Sequence, residues 1–258
     1  MNAFLLPCKA GEVSSKAEGR VETEGATPTD HPMPTLLTDQ FDFAGYESRF
    51  TGKGRIRLEG ALPEDHALRV HHALEQQTPW DLQIVTKEGR PAILSRAELQ
   101  TLSPEIIQTR LQDAAERAQT GLSYLRLGLD LIDADTIALA PFSNLLKSEA
   151  FAAFCGQLTG LSGLELASLD AVCYRNGDFF TQHTDTSARL CFEWNFTQGW
   201  RSDWGGQMLF HSPSGDIEGG IMPRFNDLSL FACDQPRSIA SVAPYAGGPR
   251  FSITGRFG

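Results

Sequence analysis

Close cysteine pairs are missing from this sequence. Cys8, Cys155, Cys173, Cys191 and Cys233 are odd in number, widely spaced and contain no CxxC. Such a set argues against a disulfide framework and against a zinc-finger site, so reduced thiols in a reducing compartment are expected. Long apolar runs are missing too. Ala3 to Leu6 is apolar but too short for the core of a signal peptide, and no stretch is long enough to span a bilayer. Positive charge is scarce: Lys and Arg number 22 against 32 Asp and Glu, a formal net charge of -10. That balance disfavours polyanionic partners, so neither nucleic acid nor a membrane surface is expected. The expectation is a soluble cytoplasmic protein without internal repeats.

The 258 residues suffice for one large domain or two small ones. Gly11 to Pro34 is rich in Gly, Ser, Thr, Glu and Pro and has almost no large apolar residues. Such a segment buries too little surface to offset its ordering entropy, so residues 1–35 are expected to form a flexible tail before a single domain over 36–258. Residues 36–166 read as helical support. A helical pattern opens at Leu62-Pro63-Glu64-Asp65, with Leu68, Val70, His71 and Leu74 roughly on one face. Trp80 to Thr86 alternates like a strand and runs into a turn at Gly89. Ser103 as N-cap, Pro104 at the first position and Glu105 in the first turn predict a helix to about Thr120. A further helix is expected from about Ser143. Residues 167–258 read as short strands between Gly, Pro, Asn and Asp, at 190–197, 207–211, 228–233, 239–242 and 251–257. Regular short strands with turn signals suggest a sandwich or barrel. The fold class expected is mainly β with flanking helices.

Chemistry concentrates in Tyr174-Arg-Asn-Gly-Asp-Phe-Phe-Thr-Gln-His183-Thr-Asp185. On a strand or its exit, His183 and Asp185 point to the same side. An imidazole and a carboxylate so placed supply two of the three ligands of a facial triad for non-haem iron(II). Three blocks follow: Trp204-Gly-Gly-Gln-Met-Leu-Phe210, Pro223-Arg-Phe-Asn-Asp-Leu-Ser-Leu-Phe231 and Pro249-Arg-Phe-Ser-Ile-Thr-Gly255. In order and spacing, this half of the chain resembles the prolyl-hydroxylase-like branch of the iron(II)/2-oxoglutarate oxygenases.

The resemblance implies a double-stranded β-helix, a jelly-roll or cupin-like barrel. It implies iron(II) as metal and 2-oxoglutarate as co-substrate, with hydroxylation of an amino acid or peptidyl residue, so the partner would be a small molecule, a peptide or a protein. His183 and Asp185 match the first two iron ligands. Arg250 matches the arginine that grips the distal carboxylate of 2-oxoglutarate, Ser252 its hydroxyl helper, and Tyr174 a pocket tyrosine. A guanidinium suits that task because it offers two parallel hydrogen bonds to a carboxylate.

Two positions depart from the pattern. In Pro236-Arg237-Ser-Ile-Ala-Ser-Val242, Arg237 stands where the family has its second histidine. An arginine stays protonated and offers no lone pair to a metal. In Leu190-Cys-Phe-Glu-Trp-Asn-Phe-Thr197, Cys191, Glu193 and Asn195 share one face, while Phe192, Trp194 and Phe196 share the other, expected to pack against the core or helices. An inward Glu193 could pair with an arginine such as Arg237, ligate a metal, act as a general base, or repel the co-substrate carboxylate. His211, Cys233 and Asp234 are weaker candidates for a substitute ligand. Trp200 and Trp204 fit either a substrate mouth or edge packing. His66, His71 and His72 read as solvated or packing residues. The loss of a ligand leaves open a second reading, in which the barrel is repurposed or degenerate and serves as another enzyme or a binding module.

Overall fold

Side-chain alternation along the C-terminal strands decides the architecture. The computed structural model describes residues 34–133 and 136–258; the tail expected at 1–35 lies almost wholly outside the described residues. The first half contains α1 Phe43–Lys53, β1 Arg55–Glu59, α2 Glu64–Gln76, β2 Asp81–Val85, β3 Pro91–Leu94, α3 Arg96–Thr101 and α4 Pro104–Ala118. It continues with β4 Tyr124–Asp130, α5 Ala140–Leu146 and α6 Glu149–Thr159. The second half is strand: β5 Leu166–Tyr174, β6 Phe179–His183, β7 Leu190–Asn195, β8 Met208–His211, β9 Ile217–Ile221, β10 Asp227–Ala232, β11 Arg237–Ile239 and β12 Arg250–Phe257.

These strands form one antiparallel sheet in the order β1-β10-β7-β12-β5-β4-β6-β11-β8-β9, with β2 on β4 and β3 on β2. On β7, Phe192 and Trp194 face outward to α5 and α6. Phe151 meets both, at 5.2 Å and 6.2 Å, and Phe142 meets Trp194 at 5.2 Å. The alternate residues face inward, as do Ser229 and Phe231 of β10 and Arg250, Ser252 and Thr254 of β12. The inner faces close on each other: Phe210 of β8 lies 5.7 Å from Phe231 of β10, although these strands are far apart in the sheet order. The sheet therefore curls into the half-barrel of a double-stranded β-helix, with helices outside.

Local chemistry places the supports. Ser103 caps α4, accepting from the Ile106 amide at 3.4 Å. The helix expected from Ser143 is two helices, because Ser148 interrupts it in extended backbone and caps α6 through the Phe151 amide at 3.2 Å. Asn226, at φ 60°, donates to the Leu62 carbonyl at 2.7 Å and accepts from Trp194 Nε1 at 3.3 Å. It ties the approach to α2 to the start of β10. Gly255 lies against the outer face, where a Cβ would sit 2.4 Å from the Phe192 ring.

One expectation is corrected. Cys191 of β7 and Cys233, just past β10, form a disulfide across neighbouring strands. Sequence distance hid the pair, since 42 residues separate the two, and the cysteine argument for a reducing compartment loses its basis. Alkylation of the unfolded, unreduced chain should leave two of the five cysteines unlabelled. Reduction should cost about 2–4 kcal/mol in a urea titration. Five labelled cysteines without reductant would show the bridge to be absent.

Candidate functional site

The inner face of the curl encloses a cavity of about 220 Å³ whose walls include Tyr174, His183, Asp185, Glu193, Arg237 and Arg256. A larger apolar groove of about 900 Å³, between α2 and residues 136–142, holds none of the predicted site residues. His183 ends β6. Its pairing with β11 shifts register, so that Arg237 faces His183 while Ile239 faces Phe180. That irregularity brings Phe180 and His183 together, and their rings stack at 3.8 Å. His183 Nδ1 lies 2.9 Å from the Thr181 carbonyl, which can only accept. Nδ1 therefore carries the proton, and Nε2 keeps its lone pair. Burial, and then the Arg237 cation, push the His183 pKa down to about 4, so the ring is neutral near pH 7.

Asp185 leaves β6 in a loop tied to Cys233, whose carbonyl accepts from the Asp185 amide at 3.0 Å. Its Oδ1 accepts from the Ser187 amide at 2.9 Å and the Ser187 hydroxyl at 2.5 Å, and its Oδ2 from Arg256 at 2.7 Å. Burial pulls its pKa upward, but these bonds outweigh it and hold the carboxyl at about 2. Arg237 is 7% exposed. It donates from Nη1 to the carbonyls of Cys233 at 2.8 Å and Gln235 at 3.3 Å, and from Nη2 to Cys191 Sγ at 3.6 Å. Its guanidinium also lies 5.1 Å from the Phe231 ring centre. No carboxylate pairs with it among the described residues.

Glu193 does not pair with Arg237, the partner suggested from sequence. Its Oε1 accepts from Arg250 Nη2 in a fully buried ion pair. Arg250 also lies 5.2 Å from the Tyr174 ring centre, opposite which it sits in the β5–β12 register. Burial raises the Tyr174 pKa, so it is a neutral phenol. Ser252 is buried on the same face, and its hydroxyl has no partner among the described residues. Neither Arg250 nor Ser252 reaches the cavity wall, which stops at Glu193.

The weaker sequence candidates separate from the site. His211 Nε2 lies 2.8 Å from the Ser238 hydroxyl, and Cys233 is held in the disulfide. Trp200 and Trp204 pack edge to face at 5.3 Å against the barrel interior. His71 is a packing residue, its Nδ1 2.8 Å from the Phe196 carbonyl. Arg126 and Arg256 escaped sequence reading. Arg256 lies on the inward alternation of β12, which could have revealed it; Arg126 had no motif around it.

Residues 169–258 match the family described as the 2OG-Fe(II) oxygenase superfamily. The structure is similar to a prolyl-4-hydroxylase from Pseudomonas putida, at 18% identity and TM-score 0.50, over 83% of this chain and 97% of that one. It is also similar to an oxidoreductase of the 2OG-Fe(II) oxygenase family from Burkholderia pseudomallei, at 13% identity and TM-score 0.57, over 84% and 91%. A third is a prolyl hydroxylase from Trichoplax adhaerens in complex with a hypoxia inducible factor peptide fragment, at 14% identity and TM-score 0.53, over 83% and 88%. No curated protein matches the sequence. The family match thus covers most of the strand half of the chain, and the fold is shared with prolyl hydroxylases.

That superfamily implies iron(II) and 2-oxoglutarate. The residues fit them in part. His183 Nε2 and the Asp185 carboxylate are two suitable iron donors in one cavity. Arg237, opposite His183, carries a guanidinium, and no cluster of three or more His, Cys, Asp or Glu able to hold a metal exists among the described residues. Arg250 fits a carboxylate, but Glu193 already supplies one.

The depressed His183 pKa has a consequence for stability. The unfolded chain takes up the proton near pH 6.5, before the folded one does. Stability from the neutral ring is therefore complete above pH 6.5 and declines toward pH 4. Urea titrations at pH 7 and pH 5 should show the wild type losing about 2 kcal/mol more than His183→Asn. Equal losses would mean that His183 is not held neutral.

Proposed function

We propose that the chain is an oxidoreductase of the iron(II)/2-oxoglutarate oxygenase class that hydroxylates an amino acid or a peptidyl residue. The observation that carries this reading is that His183 and Asp185 line one cavity of a barrel whose residues 169–258 match that superfamily. Iron(II) with 2-oxoglutarate would supply the activation of dioxygen toward a C–H bond. His183 and Asp185 would hold the metal; Arg250, Ser252 and Tyr174 stand at the positions that would face the co-substrate, with Glu193 between Arg250 and the cavity. The Thr181 carbonyl keeps the His183 lone pair directed away from its own strand, and Ser187 and Arg256 restrain the carboxylate. Met208, Phe231 and Ile239 give the cavity apolar wall that limits water. The peptide held by the Trichoplax prolyl hydroxylase supports a peptidyl substrate here.

Arg237 and the Glu193–Arg250 pair favour a second reading, a barrel repurposed for other chemistry or for binding. A cation lining the same cavity opposes a divalent metal. An anaerobic titration of metal-free protein with iron(II), then 2-oxoglutarate, separates the two. The oxygenase reading expects a saturable visible charge-transfer band that Asp185→Ala abolishes. It also expects Arg237→His to tighten iron(II) binding about tenfold, on the scale of groups that tune a metal site. Absence of a band and of calorimetric heat in both the wild type and Arg237→His would sink it and leave the repurposed barrel.

A further inference from the structure

Polar atoms without partners gather on the inner faces of β7, β10 and β12. Oε2 of Glu193, Nε and Nη1 of Arg250, Oγ of Ser229 and Ser252, and both amide atoms of Asn195 are buried and have no hydrogen bond among the described residues. They are neighbours by register: Ser229 lies opposite Glu193, and Ser252 opposite Asn195. Buried polar groups are normally satisfied, so this cluster has hydrogen-bonding capacity left for water or a polar guest. Glu193 reaches into the cluster and binds Arg250, which is wholly buried. A ligand entering the cavity meets Glu193 and cannot reach the guanidinium behind it.

The cavity also contains two cations with no ion-pair partner among the described residues, Arg126 and Arg237. Arg256 is paired with Asp185, and Arg126 donates to the Gln83 side chain at 2.9 Å. Arg237 lines the same cavity, bonded only to carbonyls and a sulfur and set beside a ring; the Asp185 and Glu193 carboxylates act on it from a distance but form no ion pair with it. One ligand carboxylate placed at Arg237 would meet an opposite charge. A second, pointing toward Arg250, would meet the Glu193 carboxylate and be repelled.

We propose that Glu193 is a built-in substitute for the distal carboxylate of 2-oxoglutarate, so that the pocket takes a small 2-oxo monocarboxylate held at Arg237 instead of the dicarboxylate. The 2-oxo group in this proposal rests on the oxygenase reading; the preference for one carboxylate rests on Glu193 and Arg237 alone.

The test is calorimetry on the full, metal-free chain, with pyruvate and 2-oxoglutarate as probes. The wild type should bind pyruvate at least about tenfold more tightly than 2-oxoglutarate, a difference of about 1.4 kcal/mol. Glu193→Ala removes both the charge and the bulk, and should gain about tenfold or more for 2-oxoglutarate. Arg237→Gln should lose pyruvate binding by a similar factor. Wild-type preference for 2-oxoglutarate, no wild-type binding of pyruvate, or pyruvate binding indifferent to Arg237→Gln would each overturn the proposal. If Glu193→Ala fails to fold, Glu193→Gln keeps the size and still accepts from Arg250, and it must narrow the discrimination between the probes. No metal is present in these arms, so a negative iron titration and a negative result here are separate failures.

Discussion

A guanidinium with no exposed surface has to be paired, and inside this barrel the partner is Glu193. Two charges in a low-dielectric interior are tolerable only together; removing either one typically costs about 3–5 kcal/mol. The pair lies between β7 and β12, two central strands of the sheet. The inner faces of both strands are organised around it, with Tyr174 over the arginine and Ser252 and Asn195 beside it. The outer faces of the same strands carry Phe192, Trp194, Phe251 and Ile253 to the helices. One sheet therefore has a dry aromatic side and an ionic side, and strand alternation is what keeps them apart.

The second departure, Arg237, is built in as firmly. The Cys233 carbonyl accepts both from Arg237 and from the Asp185 amide. The Cys191–Cys233 bridge lies against the same guanidinium, and Cys191 stands two residues from Glu193 on β7. The position opposite His183 and the position at Arg250 are thus connected through one short piece of covalent and hydrogen-bonded structure. A residue change at either is a change in a shared wall.

Much of the barrel was legible because short-range rules govern it. Period-two alternation located β7, β8, β10 and β12, and the HxD spacing put His183 and Asp185 on one cavity. Capping chemistry located α4 at Ser103. Other parts were illegible for physical reasons. β11 lies at 237–239, ahead of the expected 239–242, because a register shift against β6 sets its pairing. β1 adds to the β10 edge through contacts more than 160 residues apart, which no local pattern encodes.

By itself, the sequence determined what alternation and residue chemistry can express. It set Glu193 on the strand face opposite Phe192 and Trp194, two metal-capable donors two residues apart, and at position 237 an arginine, which offers no lone pair to a metal. Tertiary structure alone decided the pairings: Glu193 with Arg250 and not Arg237, Asp185 with Arg256, and Cys191 with Cys233. These depend on which strands become neighbours when the sheet curls. Side-chain type and spacing along one strand carry no information about the strand that arrives beside it.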